Sequence, residues 1–131
     1  MEEIMLTQEQ IAWMRKQQEK GKEFYYVGHY IDIIGNYVLK PGTTNDLLRR
    51  YREHNRAYQR TPNHPMADGT TFEYDWFIPL SKYNTLRVED KVKDLFKSAG
   101  FGEYLNNDRF VFAENPKEIE ITVRKTYKIA L

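Results

Sequence analysis

The sequence predicts an α+β domain, a small antiparallel sheet opened by a β-hairpin and flanked by helices, with an extra N-terminal helix and a C-terminal strand. Three observations carry this reading. Aromatic and β-branched runs from Glu23 onward are broken by Ile34-Gly35-Asn36, as in a hairpin. Two later segments repeat their apolar residues at helical spacing behind capping residues. The 131 residues are 40% hydrophobic and 30% charged, a globular composition of one ordinary domain rather than a disordered chain.

The first helix is announced by Thr7 with Gln10, a capping box, and by Leu6 with Ile11, the apolar staple that accompanies it. Gly21 is its stop. Ile11, Trp13 and Met14 form no clean stripe, so residues 1–22 are expected to be a packed helical appendage and residues 23–131 a single domain. Phe24-Tyr25-Tyr26-Val27 with His29-Tyr30-Ile31 suits a first strand, and Tyr37-Val38-Leu39 starts a second, the hairpin ending at Pro41-Gly42. Thr44 or Asn45 caps the next helix, with Asp46 in its first turn. Leu47, Leu48, Tyr51 and Tyr58 share its buried face. Arg49, Arg52, Arg56 and Arg60 lie on the opposite, solvated face, and Arg50 and His54 on one shoulder.

Residues 61–70, with two prolines and a glycine, form a loop. Thr71–Leu80 reads as a strand in which Phe72, Tyr74, Trp76 and Ile78 alternate against Glu73 and Asp75. A helix opens at Asn84 or Thr85, buries Val88, Val92, Leu95, Phe96 and Ala99, and ends at Gly100. Arg109–Phe112 is a short strand. Ile119–Tyr127 alternates Ile119, Ile121 and Val123 with polar residues and is expected to be the last strand.

Composition narrows the function. No apolar run approaches the ~18 residues of a membrane-spanning helix, which argues against a membrane partner. The start lacks a basic stretch followed by a long apolar one, which argues against a secretory signal and for an intracellular protein. There is no cysteine, so disulfides, thiolate zinc sites and cysteine nucleophiles are excluded. Net charge is +1, so any nucleic-acid binding must rest on a local patch. His29 and His64 stand at no metal-ligand spacing, and Asp68-Gly69 is a turn signal.

The stretch from Gly42 to Asn55 is the most informative. A hairpin ends at glycine, an arginine follows on a helix at position 50, and a histidine at position 54. This resembles the GIY-YIG nuclease superfamily, whose second motif ends in glycine and is followed at this spacing by arginine and then histidine or tyrosine. Lys40-Pro41-Gly42-Thr43-Thr44 is similar to the phage and viral branch in which Lys-Ile-Gly-x-Thr replaces Tyr-Ile-Gly, with Pro41 at the isoleucine. Tyr25-Tyr26-Val27 stands where the first motif runs. The spacing to Tyr37 favours Tyr26 over Tyr25 as the motif tyrosine. The resemblance covers about residues 23 to 112.

The resemblance implies a metal-dependent endonuclease acting on DNA with Mg²⁺ or Mn²⁺. Arg50 would stabilise charge developing on the phosphate oxygens. Lys40 would add a second positive charge or lower the pKa of a neighbouring tyrosine. Tyr26 or His54 would accept a proton from the attacking water. Glu89 would be the single acidic metal ligand on the later helix, adequate for an ion that keeps most of its waters. The final motif asparagine would be Asn106 or Asn107. Arg49, Arg52, Arg56 and Arg60 form a candidate phosphate-contact stripe for DNA. Two other readings use the same residues: a nucleic-acid-binding module of the same fold that does not cut, and a protein-interaction or virion-associated domain. In them the arginine row is a wet helix face, Glu89 a surface ion-pair partner of its basic neighbours, and the tyrosines core aromatics.

Overall fold

The computed structural model describes residues 6–98, 102–105, 109–113 and 116–130. The elements in order are α1 (Gln8–Glu19), β1 (Lys22–Ile31), β2 (Tyr37–Thr44), α2 (Leu47–Tyr58), β3 (Glu73–Ser81), α3 (Lys82–Ser98), β4 (Glu103–Leu105), β5 (Arg109–Phe112) and α4 (Pro116–Ala130). The strands form one five-stranded sheet in the order β3-β1-β2-β5-β4. Every pairing is antiparallel. Among the described residues no helix is long and apolar enough to cross a membrane.

Strand alternation divides the core into two layers. Phe24, Tyr26, Tyr30 and Val38 pack on one face with Leu6 and Met14 from the α1 region and Leu47, Tyr51 and Tyr58 from the α2 side. Tyr25, Val27, Tyr37 and Leu39 pack on the other with Val88, Val92 and Phe96 of α3 and Ile119 and Val123 of α4. The capping box at Thr7 and Gln10 forms as expected. Leu6 is buried, with Ile11 packed against the same cluster. Gly21 adopts a left-handed φ of 75° just past α1. Met14 is fully buried, and its sulfur accepts a hydrogen bond from the Leu47 N–H at 3.3 Å, so α1 seats the start of α2.

The structure corrects several sequence expectations. The segment expected as a last strand, Ile119–Tyr127, is helix α4. Its burial runs through Ile119 and Val123, four apart, while Ile121 is exposed. Ile119, Ile121 and Val123 fit a period of two as well as a helical stripe, and the helix wins because one face suffices to cover the sheet. Pro116 stands at its first position, where a missing N–H costs nothing. Strand β4 was not anticipated, being only three residues long. The hairpin runs on to Thr44 instead of ending at Gly42. The cap of α2 is Asp46, whose carboxylate accepts from the Arg49 N–H at 3.1 Å, because the Thr44 hydroxyl is already engaged by the Asp46 backbone. α3 begins at Lys82, ahead of Asn84. Ala99, Gly100 and the two candidate asparagines, Asn106 and Asn107, lie outside the described residues.

In β3 the simple alternation fails. The register with β1 shifts between Val27 and Gly28, where Val27 faces Trp76 but Gly28 faces Tyr74. Asp75 is the extra residue of a bulge, and the strand changes faces there. Phe72 and Tyr74 therefore join the α2 layer, while Trp76, Ile78 and Leu80 join the α3 layer.

Two features shape the ground around Tyr26. β5 pairs with β2 only at Tyr37, Val38 and Leu39. Among the described residues, Lys40 to Thr44 therefore have β1 as their one strand neighbour. Pro41, which has no N–H to give a second neighbour, sits in this bare stretch. Gly28 admits the Phe72 ring, for a Cβ there would stand 2.0 Å from Phe72 Cζ and 2.7 Å from the Glu73 carbonyl oxygen. Gly28→Ala is expected to destabilise the fold by about 1–3 kcal/mol through overpacking. Urea denaturation checks this, and Gly28→Ala with Phe72→Leu should recover part of the loss.

Candidate active site beside the bare end of the hairpin

Tyr26 is fully buried in β1, opposite Gly42 of β2. A Cβ on residue 42 would lie 2.5 Å from the Tyr26 hydroxyl oxygen, so glycine is what lets that hydroxyl lie flat against the neighbouring strand. The hydroxyl is 2.6 Å from His54 Nε2 on α2. It also meets the Arg50 guanidinium. Arginine has only donors, so the phenol oxygen accepts from Arg50 and its own O–H is left for the ring nitrogen of His54. Position 50 and position 54 are one turn apart on α2, which brings both over the same tyrosine.

His54 is enclosed by aromatic rings, at 5.0 Å from Tyr58, 4.6 Å from Phe72 and 5.7 Å from Tyr26. It belongs to the buried face of α2 rather than its shoulder. Burial, with the charges of Arg50 and Lys40, pulls its pKa down to about 2. The imidazole is therefore neutral at physiological pH. Burial pushes Tyr26 up to about 12, outweighing the Arg50 charge that favours the phenolate. The expectation that Lys40 lowers a neighbouring tyrosine is not met at Tyr26. Lys40 is buried on the same sheet face and its charge acts on His54 instead. Burial works against the Arg50 charge, but Tyr26 and Glu53 outweigh it and hold the guanidinium pKa above its ordinary value. Arg50 also lies 3.6 Å from the Glu53 carboxylate, and its Nε is buried without a hydrogen bond.

Glu89 approaches from the other side of the sheet. It is on α3, its Oε2 accepts from the Thr43 hydroxyl at 3.2 Å, and its Oε1 lies 3.2 Å from Lys93 Nζ. Thr43 pairs with Tyr25 and so belongs to the α3 face, whereas Gly42 belongs to the α2 face. Arg50 and Glu89 form no ion pair. Both nevertheless stand at the bare 40–44 segment of β2, and the Glu89 charge is felt at the Tyr26 hydroxyl. Tyr25 packs on the α3 side against Trp76, so Tyr26 is the tyrosine that shares a face with Arg50. Arg49, Arg52, Arg56 and Arg60 are all exposed. Arg49 faces Glu53 at 3.6 Å, and Arg52, Arg56 and Arg60 form no ion pair among the described residues.

One neighbour of this cluster escaped the sequence reading: Thr43 was hidden because its role depends on strand register. Among the described residues, Lys93 is the one of the basic neighbours of Glu89 that pairs with it, at four-residue spacing on one helix. The donor set at Glu89 is one carboxylate beside one hydroxyl, and among the described residues no three His, Asp or Glu side chains converge. Those residues fit a single divalent ion of the Mg²⁺ type, which takes one carboxylate and completes its shell with water and substrate oxygens. Such an ion must compete with the Lys93 ammonium for Glu89.

His54 sets a stability-versus-pH slope. Its folded pKa lies below the ordinary value of 6.5, so the unfolded chain takes up the proton first as pH falls. The stabilisation is complete above pH 6.5 and is lost as pH falls below it. The expected loss approaches about 1.4 kcal/mol per pH unit. Urea melts of wild type and His54→Gln across this window check it, the variant showing the flatter profile.

Comparison of the chain with protein-family models, curated proteins and solved structures finds no match.

Proposed function

We propose that the protein is a metal-dependent endonuclease that hydrolyses DNA phosphodiester bonds, a GIY-YIG-like nuclease of the phage and viral kind acting inside a cell. One observation carries this reading: Arg50 and His54 meet at the Tyr26 hydroxyl, the Lys40 charge acts on His54, and Glu89 reaches the same end of the hairpin at Thr43. In this reading Arg50 and Lys40 take the phosphate and hold charge that builds on its oxygens. Tyr26 and His54 fix the guanidinium by a hydrogen-bonded chain. Tyr26 at about 12 and His54 at about 2 are both uncharged at rest. A phosphate on Arg50 and Lys40 offsets two of the three effects that depress His54, and so raises the affinity of its ring for a proton. Glu89 and Thr43 are the residues that would hold Mg²⁺ or Mn²⁺, and a bound ion supplies positive charge against the phosphate. Arg52, Arg56 and Arg60 supply backbone contacts along the duplex.

A second reading, a nucleic-acid-binding module that does not cut, is favoured by the burial of Tyr26 away from solvent. Salt-dependent DNA binding without metal-dependent nicking distinguishes it.

Plasmid DNA with Mg²⁺ or Mn²⁺ is expected to be nicked by wild type, and by Arg50→Ala and Glu89→Gln at rates lower by about 100-fold or more. No nicking by wild type, or undiminished nicking by Arg50→Ala, removes the nuclease reading. Lys93→Met is expected to lower the Mg²⁺ concentration for half-maximal nicking by about threefold to tenfold, since it frees Glu89 from a competing cation. A metal titration of the nicking rate measures this.

A further inference from the structure

A second cleft of about 410 Å³ opens between the 61–64 loop after α2 and strands β4 and β5. Arg109 lines it and is only 5% exposed. Its Nη1 donates to the Tyr30 hydroxyl at 2.7 Å, and the guanidinium lies 5.3 Å from the centre of the Tyr58 ring. Its Nε is buried and makes no hydrogen bond. No carboxylate among the described residues pairs with it, Glu103 on the cleft wall included. A buried cation is ordinarily matched by an anion, because leaving it bare costs more than most side-chain interactions return.

His64 lines the same cleft and is built for a polar partner. Its Nδ1 lies 3.0 Å from Asp32 Oδ2. The other oxygen of Asp32 accepts the backbone N–H groups of Asn36 at 2.8 Å and Ile34 at 3.1 Å. Burial works to raise the Asp32 pKa, but these contacts outweigh it and hold it low, so Asp32 stays ionised. An ionised carboxylate keeps the proton on Nδ1 and leaves Nε2 as the nitrogen available to a ligand. Tyr30 ties the two residues together, since its hydroxyl takes the Arg109 bond and donates to the His64 carbonyl at 2.8 Å. Thr61 and Asn63 add polar groups to the wall.

We infer that this cleft binds a phosphate group, held by Arg109 and His64. Phosphate suits the pair because one group offers both kinds of partner: its unprotonated oxygens accept from Arg109, and a P–OH donates to Nε2 of His64. The cleft also continues a line of positive charge. Arg109 adjoins the Leu39–Phe110 pair, next to Lys40, and the charges of both Arg109 and Arg50 are felt at Tyr58 between them. The group therefore belongs either to a free phosphate compound or to the terminus of a nucleic-acid strand lying along this seam. Binding requires no cleavage and no metal.

Calorimetric titration with inorganic phosphate, a 5′-mononucleotide, and a short single-stranded oligonucleotide with and without its 5′-phosphate tests this, in metal-free buffer. Wild type is expected to bind at least one phosphate-bearing probe. His64→Gln and Arg109→Met are each expected to weaken that binding by about tenfold. A gain from the oligonucleotide's 5′-phosphate identifies a strand end, and equal binding of free phosphate identifies the free compound. No binding of any probe at about 10 mM overturns the inference, as does unchanged affinity in His64→Gln. Because Arg109→Met alters a buried residue, the variant at the partly exposed His64 decides the matter if the first fails to fold. Nicking by wild type with an empty second cleft would leave the nuclease reading standing and remove only this site.

Discussion

A side chain at position 42 would collide with the Tyr26 hydroxyl, and that hydroxyl is where Arg50, His54 and strand β2 meet. The constraint is steric first and electrostatic second. Because residue 42 is glycine, the phenol can reach across its partner strand and remain covered. Because it is covered, its single oxygen must find partners on α2, and they are a guanidinium and a neutral imidazole. The aromatic cage of Tyr58, Phe72 and Tyr74 follows from the same enclosure. The bulge at Asp75 supports it from a distance, because the face change there is what delivers Phe72 and Tyr74 to this side of the sheet.

The sheet separates the two halves of the candidate site. Arg50, His54 and Lys40 belong to the α2 layer, and Glu89 to the α3 layer. Both reach Lys40 to Thr44 of β2, which among the described residues have β1 as their one strand neighbour. Thr43 is a point of contact between Glu89 of α3 and the hairpin.

What the sequence disclosed followed the range of the interaction. The capping box at Thr7, the Arg50–His54 spacing and the solvated arginine row are local, set by helical geometry within a turn or two, and were legible. Tyr26 against Tyr25 was decided by spacing along the chain, and strand register explains why the two tyrosines face opposite layers. The bulge at Asp75 left no mark in the alternation of Phe72, Tyr74, Trp76 and Ile78, since both faces of the sheet are apolar. Ile119, Ile121 and Val123 satisfied two periods at once, and only the packing of α4 on α3 and the sheet chose between them. Asp32 and His64 meet across a loop. Nothing in either neighbourhood signals the other.

Pro41 has a consequence beyond the site. An uncovered strand margin offers a row of donors and acceptors to any passing chain, and extended segments readily zip onto it. Proline interrupts that row at its middle, since it cannot supply the hydrogen needed to continue a ladder. Uncovered among the described residues, the 40–44 margin of β2 is thus guarded by its composition against strand recruitment and the self-association that follows from it.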